Sequence, residues 1–140
     1  MQIHASCAAR HDAGVLLLGP PGSGKSDLLL RLLDHGFMLV ADDRVDIVDG
    51  QASPPPALAG KLEVRGLGVV RLPHVAPVRL VLVVQLSRDM VRLPAPATHP
   101  ELGLPSIGID SGMASAVARV ALALDCAAGR VAQDAGAFTA

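Results

Sequence analysis

The sequence predicts an α/β P-loop nucleotide-binding fold with a twisted, mixed sheet and few helices. Three observations carry that expectation. The apolar run Val15-Leu16-Leu17-Leu18 leads into Gly19-Pro20-Pro21-Gly22-Ser23-Gly24-Lys25-Ser26, and a leucine-rich stretch of helical period follows it. A second apolar run, residues 37–41, ends in the carboxylates Asp42-Asp43. A third, residues 79–86, is apolar enough for the centre of a sheet.

The eight residues from Gly19 fit G-x-x-x-x-G-K-[ST], the pattern of a phosphate-binding loop. Glycines at 19, 22 and 24 permit positive φ angles and bring N–H groups close to phosphate oxygens, where a Cβ would obstruct them. The helix starting near Lys25 points its positive dipole end at the same oxygens. Lys25 supplies a mobile charge for the β- and γ-phosphates, and the Ser26 hydroxyl is suited to ligate Mg²⁺ between them. Gly19, Pro20, Pro21, Gly22, Ser23, Gly24, Lys25 and Ser26 are thus candidate nucleotide contacts, with ATP and Mg²⁺ as the implied cofactors. The plainer alternative is a Gly/Pro turn before an ordinary helix.

In chain order, residues 3–9 read as one short strand, and Asp12-Ala13-Gly14 as the turn of a hairpin returning along residues 15–18. His4 lies in that first segment, where the default reading is a satisfied structural histidine. After Ser26, leucines at 28, 29, 30, 32 and 33 cover a broad helical face that must pack on a sheet, and Gly36 caps the helix. Residues 37–41 follow as a buried strand. A carboxylate at its carboxyl end, beside the P-loop strand, can hold Mg²⁺ or accept a proton from an attacking hydroxyl. Strand side chains alternate, so only one of Asp42 and Asp43 is expected to face the phosphates. A polar turn closing the strand is the alternative.

Residues 45–48 alternate as a strand, Asp49-Gly50 makes a turn, and residues 53–56 form a stiff, proline-rich connection. Glu63 and Arg65 stand two apart and share one side if extended, which would bring Glu63 to a metal and Arg65 to transferring phosphate charge. A strand with a surface ion pair would look the same. Residues 90–93 read as a further short strand, 94–100 as a loop, 104–109 as a strand, and 113–128 as a packing helix with Val117, Val120, Ala121 and Leu124 at helical spacing. The tail from Gly129 is expected to fray.

A length of 140 residues suits one domain over 1–140, and 51% hydrophobic content supplies its core. With no Trp or Tyr and two Phe, the core must be aliphatic, and base stacking on aromatic platforms is not expected. A net charge of −1 gives no steering field toward nucleic acid or anionic membrane. The apolar runs are too short to cross a bilayer, and residues 1–10 lack the charged start and apolar middle of a signal peptide. Cys7 and Cys126 then read as free thiols of a reducing cytoplasm.

Together these pieces resemble the catalytic domain of HPr kinase/phosphorylase, the bacterial enzyme that modifies a serine of the phosphocarrier HPr. The resemblance runs over about the whole chain, most strongly over residues 4–70. It is carried by the His4 segment, the P-loop with Asp27, Leu39-Val-Ala-Asp-Asp-Arg-Val45, and Leu62-Glu-Val-Arg-Gly-Leu-Gly68. The last is the more diagnostic, because P-loops are widespread. The resemblance implies an HPr kinase/PEP carboxykinase-like fold and a cytoplasmic, ATP- and Mg²⁺-dependent serine kinase. Its partner would be HPr or an HPr-like carrier, the reverse dephosphorylation would accompany it, and the setting would be control of carbohydrate metabolism. It implies that His4 is an active-site histidine, Lys25 binds phosphate, Ser26 and Glu63 ligate Mg²⁺, and Asp43 is base forward and acid in reverse. Hexameric assembly is a property of the family. The lack of a separate N-terminal domain resembles the short forms of some Gram-negative bacteria. Arg92 loosely matches a later family arginine, and Gly108-Ile109-Asp110 stands where longer members carry a Gly-Arg element linked to dephosphorylation. Two rivals stay open. A small-molecule P-loop kinase would need an arginine-bearing lid, and residues 94–108 contain no arginine; a non-catalytic nucleotide-binding regulator would have no need of Asp43.

Overall fold

The longest strand organises the sheet, and residues 1–139 are described by the computed structural model. In chain order the elements are β1 (Gln2–His4), β2 (Ser6–Arg10), β3 (Ala13–Leu18), α1 (Lys25–Asp34), β4 (Met38–Ala41), β5 (Arg44–Val48), β6 (Gln51–Ser53), a 3₁₀ turn (Pro56–Leu58), β7 (Lys61–Val64), β8 (Gly68–Arg71), β9 (Val78–Leu86), β10 (Ser106–Ile109) and α2 (Ala116–Ala127). Eight strands form one sheet in the order β1-β5-β6-β9-β3-β2-β4, with β10 also on β9, while β7 and β8 make a separate hairpin. β9 lies parallel to β3 on one side. On its other side the first half pairs antiparallel with β6 and the second half parallel with β10. Paired along both edges and buried at seven of nine positions, it has the near-continuous apolar sequence that such a central strand requires. Gly14 is fixed by this packing, since a Cβ there would meet the Arg79 carbonyl and Val78 Cγ2 at 3.0 Å.

β1 and β2 are consecutive in the chain but far apart in the sheet order, as are β4 and β5. They behave as two long bent ribbons. Ile3 pairs with Val45 before the bend and Cys7 with Ala41 after it, and Ala5 N–H donates to the Asp43 carbonyl between them (3.3 Å). The sheet curls as a result, and Cys7, Leu16, Val40, Val45, Leu80 and Val83 pack together as one core. The other face is covered by α1, through Leu28, Leu29 and Leu32, and by α2, through Val120 and Leu124, over Leu17, Leu82 and Val84. Burial pushes the Cys7 thiol up, which disfavours the nucleophilic thiolate and leaves Cys7 a packing residue. Leu82 is fully buried beneath the helices. Leu82→Ala should cost about 2–5 kcal/mol, read as a lower denaturation midpoint with an unchanged slope in urea.

Several expectations need correction. Residues 3–9 form two strands, because a run of small apolar residues carries no mark of the bend at Ala5. The first hairpin turns at His11 and Asp12 (φ 52° and 63°), with Ala13 already in the strand. β6 lies in a stretch with no apolar pattern. Residues 90–93 form no strand: Met90, Val91 and Leu93 are exposed, and β10 takes the place beside the end of β9. The last helix starts at Ala116, three residues later than its periodicity suggests. Residues 133–138 of the tail are pinned, with Gln133 Oε1 accepting from Phe138 N–H (2.8 Å) and Phe138 packing on the core.

Candidate active site

The P-loop leaves the carboxyl end of β3 and enters α1, with Gly24 as N-cap at φ 97°. Gly24 is required twice over, by that dihedral and because a Cβ would come within 2.9 Å of Ser111 Oγ. Ser111 braces the loop. Its Oγ donates to the Ser23 carbonyl (3.0 Å), and its own carbonyl accepts from Arg31 Nη2 (2.5 Å). Lys25 Nζ donates to the carbonyls of Gly19 (2.6 Å) and Pro20 (3.2 Å), both in the loop itself. The N–H groups of the first turn of α1 have no intrahelical acceptor. Among the described residues Ser23 Oγ is buried without a partner, a free hydroxyl inside the loop. These features suit an anion with several oxygens.

At the end of β4 the backbone does something strand alternation does not foresee. Arg44 N–H donates to the Asp42 carbonyl (2.8 Å), and Asp43 between them has φ 71°. This is a γ-turn of the strained, positive-φ kind. The other non-glycine residues with positive φ, His11, Asp12 and Asp49, belong to the two hairpin turns. The turn breaks the alternation, so Asp42 and Asp43 both line the same cavity, whereas a regular strand would have shown it only one. Asp42 is nearly buried, and its Oδ1 accepts from Ser26 Oγ (2.9 Å) and Ser6 Oγ (2.8 Å). Asp43 is exposed, with Oδ1 3.8 Å from His4 Nδ1, within ion-pair range but beyond a hydrogen bond.

The cavity has a volume of about 930 Å³. Ser6, Pro21, Gly22, Gly24, Lys25 and Ser26 lie on the P-loop side; Asp42 and Asp43 come from the bend, and Glu63 and Arg65 from β7 and its turn. Glu63 and Arg65 both line the cavity, and Lys61, of the same parity, joins them. Leu58, Val64 and Val69 give the cavity an aliphatic wall. His4 reaches the site through Asp43, and Gly19 through Lys25 and Ser23. Arg92 is exposed in the irregular stretch after β9, outside the lining.

Sequence reasoning missed Ser6, Lys61 and Ser111. The spacing of Lys61 to Glu63 and Arg65 could have disclosed it, whereas Ser6 and Ser111 meet the site through contacts 36 and 88 residues away in sequence.

Among the described residues no three His, Cys, Asp or Glu side chains gather as a ready-made metal cage. Mg²⁺ asks for less: it keeps waters and is held by one or two carboxylates together with substrate phosphates. The hydroxyl of Ser26 on Asp42 Oδ1, with Glu63 across the cavity, fits that demand.

A sequence model of the HPr serine kinase C-terminal domain matches residues 1–88. The chain belongs to that family. Within it, the chain is similar to the HPr kinase/phosphorylase of Xylella fastidiosa strain M12, 38% identical over 105 residues, covering 70% of this chain and 33% of the relative. It is likewise similar to that of Cupriavidus metallidurans, 40% identical over 111 residues and covering 66% and 34%. The chain thus spans about a third of the length of the curated relatives it matches. Among solved structures, the Hpr(Ser) kinase/phosphatase of Coxiella burnetii superposes with a TM-score of 0.73 at 25% identity, over 86% of this chain and 91% of that one. The expected HPr kinase-like α/β fold with a mixed sheet is thereby borne out.

Proposed function

We propose that this HPr kinase family domain is an ATP- and Mg²⁺-dependent kinase that phosphorylates a serine of HPr or an HPr-like carrier. The observation that carries the reading is the placement of Asp43, with His4 beside it, at the cavity where Ser26 meets Asp42. One carboxylate is thereby available to a cation and its neighbour to an incoming hydroxyl. In this reading Lys25 exchanges its loop carbonyls for β/γ-phosphate oxygens, and the loop N–H groups hold the rest. Ser26, Asp42 and Glu63 would hold Mg²⁺, which when bound neutralises charge on the β- and γ-phosphates. Asp43 accepts the proton of the acceptor serine as its oxygen bonds to the γ-phosphorus, while the bond from that phosphorus to the β–γ bridging oxygen breaks. Arg65 offsets charge on the transferring group. In the dephosphorylation that the names of the relatives describe for those proteins, Asp43 would return the proton to the serine oxygen as its bond to phosphorus breaks and the phosphoryl group passes to an incoming phosphate or water.

The reading includes a single catalytic domain over residues 1–140, a homohexamer taken from the family resemblance, and a reducing cytoplasmic setting in keeping with free Cys7 and Cys126. Among the described residues no helix is long and apolar enough to cross a membrane.

The acceptor chemistry gives the test. A serine hydroxyl must lose a proton as it attacks, whereas an unprotonated imidazole nitrogen needs no base. Carrier labelled from γ-labelled ATP by this protein should hold its label through mild acid, and a carrier with its acceptor serine changed to alanine should take up none. Acid-labile label that survives the serine replacement would mean phosphohistidine and would end the serine-kinase reading.

A further inference from the structure

Ser6 stands out as a hydroxyl with no room for an ordinary surface role. It opens β2 in a run of small residues, Ala5-Ser6-Cys7-Ala8-Ala9, and is 1% exposed. Its Oγ donates to Asp42 Oδ1 at 2.8 Å, the same oxygen that accepts from Ser26 Oγ at 2.9 Å. The bond also sits where the ladder between the two bent ribbons is interrupted. The register of β2 with β4 begins at Cys7 and Ala41, and that of β1 with β5 ends at His4 and Arg44. Across the gap, the ribbons are tied by the backbone bond from Ala5 to Asp43 and by the side-chain bond from Ser6 to Asp42.

We propose that Ser6 is a positioning residue for the metal seat, its hydroxyl fixing the Asp42 carboxylate opposite Ser26. Two donors on Oδ1 settle the rotamer of Asp42 and leave its second oxygen uncommitted. Without Ser6, one donor would remain, and it is the hydroxyl whose own oxygen must turn to the cation. Outer-shell partners that orient a ligating carboxylate in this way commonly change metal affinity by about 10–100-fold when removed. The hydrogen bond of the Ser6 side chain runs to Asp42, so its effect runs through that carboxylate. The inference rests on reading Ser26 and Asp42 as the seat of Mg²⁺.

The test uses the full chain, Mn²⁺ as the paramagnetic probe, and a non-hydrolysable ATP analogue. Ser6→Ala removes a single buried atom, and retention of the folded state is checked by its thermal unfolding curve. In Ser6→Ala the Mn²⁺ affinity of the nucleotide complex, read by electron paramagnetic resonance, should fall about 10-fold, while affinity for the analogue in EDTA stays within about twofold. Mn²⁺ affinity within about twofold of wild type would overturn the proposal. A parallel loss of metal-free nucleotide affinity would also overturn it, by tracing the effect to general packing of the loop. Wild-type protein that binds the analogue but gains no Mn²⁺ site with it would instead remove the Mg²⁺ seat itself, and the role of Ser6 with it.

Discussion

Asp43→Asn should leave nucleotide affinity near that of the wild type and lower phosphoryl transfer by about 10²-fold or more. The substitution is well matched to the backbone. Asparagine tolerates positive φ, so the γ-turn at φ 71° has no new reason to relax, and the amide keeps the size of the carboxylate. What disappears is the capacity to take a proton from the acceptor hydroxyl. Because the Asp43 side chain is exposed and its nearest ionic neighbour is His4 at 3.8 Å, its loss leaves the Ser26–Asp42 contact intact. The measurement is single-turnover transfer to the carrier alongside nucleotide titration. Retained transfer in Asp43→Asn, with loss in Asp42→Asn, would exchange the roles of the two aspartates. Retention in both would demand another base.

Lys25→Ala is expected to weaken ATP binding by roughly 10–100-fold, the worth of one or two hydrogen bonds to a charged group. Transfer should fall by a further 10²-fold or so with loss of a preorganised charge on the γ-phosphate. The cavity's own charges make it sensitive. Lys25, Lys61 and Arg65 face Asp27, Asp42, Asp43 and Glu63, so removing Lys25 leaves two cations against four carboxylates around a polyanionic ligand. Isothermal titration with ATP, with and without Mg²⁺, checks the binding arm. Affinity and turnover equal to wild type would remove the P-loop reading of residues 19–26.

What the sequence disclosed follows from the range of the physics involved. α1 and β9 are specified locally, by a leucine face of period 3.6 and an apolar run over residues 79–86, and the structure has both where expected, with the eight residues of the phosphate-loop pattern running from the end of β3 into α1. The bend in the first ribbon was hidden because Ala5 resembles its neighbours, and only pairing with Asp43 shows that the strand divides there. For the same reason alternation, a sound rule within a strand, gave the wrong answer one residue past its end, where the γ-turn turns both aspartates to the cavity. The exposed residues at 90–93 failed in the opposite sense: β-forming side chains were present, but β10 holds the place beside the end of β9 and these residues pair with no strand. Glu63 and Arg65 were legible as a pair since they stand two apart across the end of β7, while Ser6 became visible only through Asp42.

The paired bends also restrict how the length of this chain can vary among its relatives. One inserted or deleted residue at positions 4–6 or 41–44 would slip one ribbon against the other and turn every following side chain to the opposite face. His4, Ser6, Asp42 and Asp43 would part company at once, and the inner core of Cys7, Val40 and Val45 would be turned out with them. The ladder of β2 with β4 already carries an irregularity between Cys7 and Ala8, where the sheet curls and β2 touches β5, so a further residue would have to add a second one beside it. Residues 88–97, where no strand pairing fixes the register, carry no such constraint. Gain and loss of residues over evolutionary time should therefore accumulate in that stretch, while the spacing from His4 to Ser6 and from Ala41 to Arg44 stays constant.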